Sequence, residues 1–226
     1  MTLTMKALVW QLAVWLLSIL ILFLPAGTLL WPAGWTFLVL FFGFVGWLSL
    51  WMLSRSPDLL AERLTILKAG QPMWDQIWLL CFYLLSLIWL ALMSLDAARL
   101  HFSRMPVFLQ VIGLLLLLCS LYGIFVTIRE NQYLSPVVRL QAERGQTVIS
   151  SGPYQHIRHP LYASAFLFLV GAPLLLGSWF GFALVPLFTG LMIYRAMQEE
   201  RLLRHALPGY DTYMSRVTYR FIPHVW

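Results

Sequence analysis

The chain has 226 residues, of which 61% are hydrophobic and only 11% are charged, and its formal net charge is +6. An ordinary soluble domain carries about 25% charged residues, so this composition excludes that class. It predicts an all-α integral membrane protein with a single domain over residues 1–226. The basic residues flank apolar segments and form no run with interleaved aromatic residues, so we expect no nucleic-acid partner.

Apolar segments in chain order predict about six transmembrane helices, because roughly 20 apolar residues are needed to cross a bilayer. The first segment is too long for a signal-peptide core, so we expect it to be retained. The last two should form a hairpin around Gly177, Ser178 and Trp179. The predicted spans are 8–30, 34–53, 76–95, 107–128, 160–176 and 180–198.

Two polar stretches lie between these spans. After span two, Ser56 is placed to cap a helix that begins at Pro57. This helix would carry Leu59, Leu60, Leu64 and Leu67 on one face, which predicts an amphipathic helix at the membrane surface. The second stretch covers residues 129–159 and separates span four from span five.

The basic residues are distributed unevenly over this six-span topology. Of the 15 Lys and Arg residues, only Arg99 and Arg104 fall on the side opposite to the termini. The positive-inside rule therefore predicts that both termini and the 129–159 segment are cytoplasmic.

A dense polar motif, Gly152-Pro153-Tyr154-Gln155-His156-Ile157-Arg158-His159-Pro160-Leu161-Tyr162, directly precedes span five. Pro160 suits the first position of a helix. The free N–H groups and positive dipole end of that helix would face Arg158 and His159, which predicts an anion-binding site at the membrane boundary. The alternative is that Arg158 only anchors a helix end.

A second charged group ends span six. Arg195 and Glu199 are one helical turn apart, and charged residues at membrane depth suggest a functional site. The alternative is a self-compensating ion pair at the interface. The hairpin should bring this group beside the motif, so that Glu199 or Glu200 could hold a cation while Tyr154 and Tyr162 offer aromatic faces. These residue types weakly favour S-adenosylmethionine as the ligand. No set of His, Cys, Asp and Glu residues has the spacing of metal ligands.

These motifs, in this order, resemble the isoprenylcysteine carboxyl methyltransferase family, and in particular its bacterial membrane branch. That group is related to phospholipid N-methyltransferases and methanethiol S-methyltransferases. The resemblance covers residues 129–226, so a C-terminal methyltransferase core would follow N-terminal spans in 1–128. It rests on Gly152-Pro153-Tyr154, Arg158 to Tyr162, Gly177-Ser178-Trp179, Arg195 with Glu199-Glu200, and Gly209-Tyr210-Asp211-Thr212-Tyr213.

The resemblance implies S-adenosyl-L-methionine bound near the cytoplasmic end. Arg195 would face the methyl acceptor, and Glu200 or His159 would take a proton if the acceptor is a thiol or an amine. Two positions depart from many relatives, which have His in place of Gln146 and Gly in place of Ser164. Residues expected at the cofactor are Gln146, Thr147, Val148, Ile149, Tyr154, Arg158, His159, Pro160, Leu161, Tyr162 and Glu199.

The resemblance also implies a lipophilic or small-molecule acceptor, most simply the carboxylate or thiol of an isoprenylcysteine-like molecule, that enters from the membrane lipids. Glycine and proline residues of the last hairpin, including Gly171 and Gly181, are expected to limit tight packing and to leave a lipid-facing gap leading to Arg195. The expected location is the bacterial inner membrane. The oligomeric state stays open.

Two alternatives remain. Sterol-type reductases that use NADPH share the Arg-His-Pro-x-Tyr pattern, although they usually continue with Gly and an acidic residue, whereas this chain continues with Ala163-Ser164-Ala165. The other alternative is a membrane scaffold without enzymatic activity.

Overall fold

Helices account for the regular structure in the computed structural model, which describes residues 2–65 and 68–226. We number the α-helices in chain order. They are α1 Leu3–Ala26, α2 Pro32–Arg55, α3 Pro57–Arg63, α4 Met73–Ser94, α5 Val107–Glu130, α6 Pro160–Leu176, α7 Trp179–Ala183, α8 Val185–Ala206 and α9 Tyr210–Arg216.

Among the described residues, five helical segments are long and apolar enough to cross a membrane, namely α1, α2, α4 with its π-helical continuation to Arg99, α5, and α7 with α8. Helix α6 is also apolar but has only 17 residues. The prediction of an all-α integral membrane protein with about six spans is confirmed. Several boundaries differ from the prediction. Helix α1 covers Leu3–Ala26 instead of 8–30, α4 already begins at Met73, and α8 continues to Ala206.

Contacts between the connecting segments place them at two opposite ends of the bundle. At one end, Arg63 of α3 donates a 2.9 Å hydrogen bond from Nη1 to the carbonyl oxygen of Leu134. At the other end, the Asp96 carboxylate accepts hydrogen bonds from the hydroxyls of Ser103, at 2.6 Å, and Ser178, at 2.5 Å. The alternation of ends therefore follows the predicted topology, and which end is cytoplasmic stays a prediction.

Helix α3 begins at Pro57 as predicted, but its apolar face is covered by protein. Leu59 and Leu60 are buried and pack in one cluster with Leu48 and Met52 of α2 and Ile128 of α5. The predicted arrangement, with the leucine face lying on the membrane surface, is therefore wrong for these two residues. Leu64 lies just beyond the helix end, and Leu67 lies outside the described residues. Ser56 is the N-cap residue, but its side chain makes no capping hydrogen bond.

The glycines of the last hairpin allow close packing, contrary to our expectation. A Cβ atom on Gly171 of α6 would lie 2.9 Å from the carbonyl oxygen of Gly113 on α5. A Cβ atom on Gly181 of α7 would lie 2.3 Å from the Met93 side chain of α4. Without a Cβ, these helices approach almost to backbone contact, because interhelical packing in membranes favours small residues. Helix α6 is thereby held close against α5.

Candidate functional site

A cavity lies at the end of the bundle that holds the start of α6 and the end of α8. Segment 131–149 covers it, and α9 closes it on one side. We call segment 131–149 the roof. Twelve of the thirteen residues predicted for the site line this cavity: Gln146, Thr147, Val148, Ile149, Tyr154, Arg158, His159, Pro160, Leu161, Tyr162, Arg195 and Glu199.

Many polar groups of the motif before α6 already make hydrogen bonds within the chain. The backbone N–H groups of Arg158 and His159 donate to the carbonyl oxygens of Tyr219 and Arg220, both at 2.9 Å. Arg158 Nη1 also donates to the carbonyl oxygens of Val217 and Thr218. These C-terminal contacts leave less of Arg158 and of the helix start for an anion than the sequence motif indicated.

Glu200 is the one predicted site residue that does not line the cavity. Its carboxylate accepts hydrogen bonds from Arg158 Nε at 2.7 Å, His159 Nε2 at 3.1 Å and Arg220 Nε at 2.9 Å. The residue is only 3% exposed. Buried charges require such compensation, so Glu200 joins α8 to the start of α6 and to the C-terminal tail from behind the cavity.

Glu199 points the other way and remains open to the cavity. The Tyr162 hydroxyl donates to Glu199 Oε2 at 3.0 Å, and His159 Nδ1 lies 4.0 Å from the same oxygen. Within the described chain its other carboxylate oxygen makes no hydrogen bond, and the side chain is 28% exposed. An acidic group with a free oxygen beside an aromatic ring suits a cationic ligand.

Arg195 does not pair with Glu199, so the alternative of a self-compensating pair within α8 is wrong. Its Nε instead donates to Asp75 Oδ1 at 2.9 Å, and its Nη2 donates to the carbonyl oxygen of Pro136 at 2.6 Å. The guanidinium lies over the Trp78 ring, 4.5 Å from its centroid. Arg195 is 8% exposed and reaches the cavity from the α4 side.

The roof carries both predicted and unpredicted features. Gln146 Oε1 accepts a 2.7 Å hydrogen bond from the backbone N–H of Gln141, which shapes the turn before Thr147. From Thr147 to Ile149 the backbone has no regular secondary structure, and its N–H groups find no partner among the described residues. These groups are therefore available to a ligand. Ser164 lies away from the cavity, against Gly123 of α5.

Aromatic residues form a wall of the cavity that packs against the roof. Asn131 Nδ2 donates to the Tyr154 hydroxyl at 2.9 Å, and the Tyr213 hydroxyl donates to the carbonyl oxygen of Tyr154 at 2.8 Å. Burial raises the pKa of Tyr154 and of Tyr213 far above the ordinary tyrosine value, so both hydroxyls stay neutral and rigidly placed. Tyr210 completes this wall.

Sequence reasoning missed several residues of the site. Tyr210 and Tyr213 belong to a motif that carried the resemblance, but no role was assigned to them. No sequence motif indicated Asn131 as a site residue. Asp75 could have been noticed as an acidic residue at the edge of an apolar span, but the predicted span began one residue later.

The fold and the cavity define an integral membrane protein with a polar cavity at one end of its bundle. Residues 111–205 match the model of the isoprenylcysteine carboxyl methyltransferase (ICMT) family, so the resemblance predicted from the motifs is confirmed for this segment. The match covers α6 and α8, which carry Tyr162, Arg195 and Glu199, and supports a membrane methyltransferase in general terms. Comparison with curated proteins found no match.

Proposed function

We propose that this protein is a membrane methyltransferase that uses S-adenosyl-L-methionine and modifies a lipophilic acceptor. One observation carries the proposal. The open carboxylate of Glu199 lies in an aromatic cavity whose two main helices belong to the segment that matches the methyltransferase family.

The residues at the cavity fit this cofactor by chemical type. Glu199 is suited to a cationic group, and the unpaired N–H groups of the roof are suited to a carboxylate. Tyr154 and Tyr162 offer aromatic surface to an adenine ring or a sulfonium. No glycine-rich phosphate loop occurs in the sequence, which disfavours a dinucleotide such as NADPH.

The transfer itself requires alignment and exclusion of water more than acid–base chemistry. Bound S-adenosyl-L-methionine would supply a methyl group on a sulfonium sulfur, which keeps the electron pair of the broken bond when the acceptor attacks in line. Arg195 would orient the acceptor, while His159 and Tyr162 hold Glu199 in place. The roof and the tyrosine wall would exclude water.

A carboxylate acceptor suits this arrangement better than a thiol or an amine. A carboxylate is already deprotonated and needs no base. Glu200, which we expected to be a possible proton acceptor, lies behind the cavity and accepts hydrogen bonds from Arg158, His159 and Arg220. The Arg195 guanidinium is a natural partner for an anionic acceptor head, whose apolar tail would lie in the bilayer.

Ligand-dependent stability separates this proposal from its rivals. A ligand that binds the folded state raises the thermal midpoint, so S-adenosylhomocysteine should stabilise the detergent-solubilised protein while NADPH leaves it unchanged. Stabilisation by NADPH alone would identify a reductase, and no response to either compound would favour a scaffold.

The role of Arg195 has its own test, with S-farnesylcysteine as acceptor. Arg195→Ala should lower turnover or raise the Michaelis constant for this acceptor, while the affinity for S-adenosylhomocysteine stays nearly intact. A parallel loss of both would mean that Arg195 supports the cofactor site instead.

A further inference from the structure

Asp75 is a buried carboxylate in a helix that lies outside the matched segment. It stands in the first turn of α4 and is fully inaccessible to solvent. Its Oδ1 accepts from Arg195 Nε at 2.9 Å. Its Oδ2 accepts from the backbone N–H of Val138 and from Gln71 Nε2, both also at 2.9 Å.

We propose that Asp75 is the positioning residue that holds the Arg195 guanidinium at the cavity. The inference rests on the proposed function, in which Arg195 faces the acceptor. It adds a residue from the N-terminal half of the chain to a site whose other polar groups come from residues 131–220.

The contacts of Arg195 leave one edge of its guanidinium available. Nε donates a hydrogen bond to Asp75, Nη2 donates one to the carbonyl oxygen of Pro136, and the Trp78 ring covers one face of the guanidinium. Nη1 makes no hydrogen bond to any described residue, although Arg195 is 92% buried and lines the cavity. Among the described residues the one fully buried side-chain atom without a partner is Gln71 Oε1, so Nη1 is open to the cavity and is the edge that the acceptor head would meet.

Asp75 also ties the guanidinium to the roof. Arg195 binds the carbonyl oxygen of Pro136, and Asp75 binds the N–H of Val138, two residues further along. The ion pair and the roof segment 136–138 therefore form a closed ring of contacts. A shift of Asp75 would move both the guanidinium and the part of the roof above it, and a displacement of about 1 Å can lower a rate by roughly a hundredfold.

Asp75→Asn tests this arrangement, because it removes the charge with little change of shape. Asp211→Asn is the matched control, since it breaks an Asp–Arg bond of similar geometry, Arg204 Nε to Asp211 Oδ1 at 2.8 Å, on the exposed surface. The first measurement is hydrogen exchange of the Arg195 Nε–H by NMR of protein with ¹⁵N-labelled arginine, assigned through Arg195→Lys. The second compares turnover of S-farnesylcysteine with affinity for S-adenosylhomocysteine.

We expect Asp75→Asn to accelerate Nε–H exchange and to lower turnover by about tenfold or more, while affinity for S-adenosylhomocysteine changes by less than about threefold. Asp211→Asn should leave all three values unchanged. Unchanged exchange in Asp75→Asn would overturn the proposal. So would a loss of cofactor affinity in proportion to turnover, because that pattern indicates a purely structural role.

A second variant covers the case in which Asp75→Asn does not fold. Asp75→Glu keeps the charge but moves the carboxylate by one methylene group, so turnover should fall while the protein remains folded. Full turnover in Asp75→Glu would refute positioning. If the wild-type protein neither binds S-adenosylhomocysteine nor methylates S-farnesylcysteine, the proposed function fails. The exchange measurement then decides alone whether Asp75 holds Arg195.

Discussion

Two adjacent glutamates at the end of α8 have opposite environments. Glu200 is buried and accepts hydrogen bonds from Arg158, His159 and Arg220, whereas Glu199 keeps one oxygen open to the cavity. Successive residues on a helix point about 100° apart, so one acidic side chain enters the ligand site while the next joins the surrounding elements. The pair thus combines a carboxylate that is open to the cavity with one that supports the surrounding structure.

Because Glu199 keeps one oxygen open to the cavity, we expect its charge to contribute to cofactor affinity. Glu199→Gln removes the charge but keeps the shape, so S-adenosylhomocysteine affinity should fall by about 1–3 kcal/mol, the range for losing a charge-assisted partner. Calorimetric titration measures this change. Asp58→Asn on the exposed surface of α3 removes the same charge without facing the cavity and serves as control. Unchanged affinity in Glu199→Gln would remove Glu199 from the cofactor site.

At the scale of elements, α3 anchors the roof through a charge cluster. The Glu62 carboxylate accepts hydrogen bonds from Arg139 and Ser135 of the roof and pairs with Lys68. Burial raises the pKa of Glu62, but the hydrogen bonds from Arg139, Lys68 and Ser135 outweigh it and lower that pKa from 4.5 to about 2.

The lowered pKa predicts how this anchor responds to pH. A carboxylate whose folded-state pKa is depressed stabilises the fold above its unfolded pKa and loses this effect as pH falls through the folded pKa. Glu62→Gln should therefore lower the free energy of unfolding by about 1–3 kcal/mol at pH 7. The difference from wild type should shrink below about pH 4.5 and vanish towards pH 2. Thermal unfolding across this range measures it, and a difference independent of pH would contradict the assignment.

The α5–α6 contact predicts a strong effect of a single methyl group. A Cβ on Gly113 would lie 2.4 Å from the backbone nitrogen of Leu175, so Gly113→Ala should destabilise the protein by about 1–3 kcal/mol through overpacking. Gly190→Ala in α8 is the control, because no described atom beyond its own helix backbone lies within 4 Å of its Cβ position. Equal thermal midpoints for the two variants would disprove close packing at Gly113.

At the scale of the whole molecule, the site assembles elements from nearly the entire chain. The matched segment ends at residue 205, yet the C-terminal tail supplies the carbonyl oxygens that hold Arg158 and the guanidinium of Arg220 that pairs with Glu200. Helices α3 and α4 add Glu62 and Asp75 from the N-terminal half. The site is therefore completed by residues on both sides of the matched segment.

The predicted orientation can be tested with single cysteines. Because 13 of the 15 Lys and Arg residues lie at the end that carries the site, that end should be cytoplasmic. In a variant without Cys81 and Cys119, a cysteine at exposed Arg104 should react with an impermeant maleimide in intact cells. A cysteine at exposed Ala142 should react only after lysis. The reverse pattern would invert the topology.

The sequence by itself determined the class of the protein and about half of the cavity lining. Hydropathy marks apolar spans without reference to their partners, and the motif residues from Tyr154 to Tyr162 lie close in sequence at the start of one helix. The turn at Gly177 and the start of α3 at Pro57 also depend on residues that are close in sequence, and both were predicted correctly.

Only the tertiary structure decided which charges compensate each other. Arg195 and Asp75 are 120 residues apart, and Glu200 meets Arg158 and Arg220 through contacts between α8, the start of α6 and the tail. Local spacing favoured an Arg195–Glu199 pair on α8, but the packing of α4 against α8 brings a buried carboxylate closer. Glycine likewise has no side chain that indicates its neighbours, so the tight contact of Gly171 with Gly113 could not be read from spacing. Which partner satisfies a buried charge depends on helix packing, because desolvated groups bind whatever the fold places within hydrogen-bond distance.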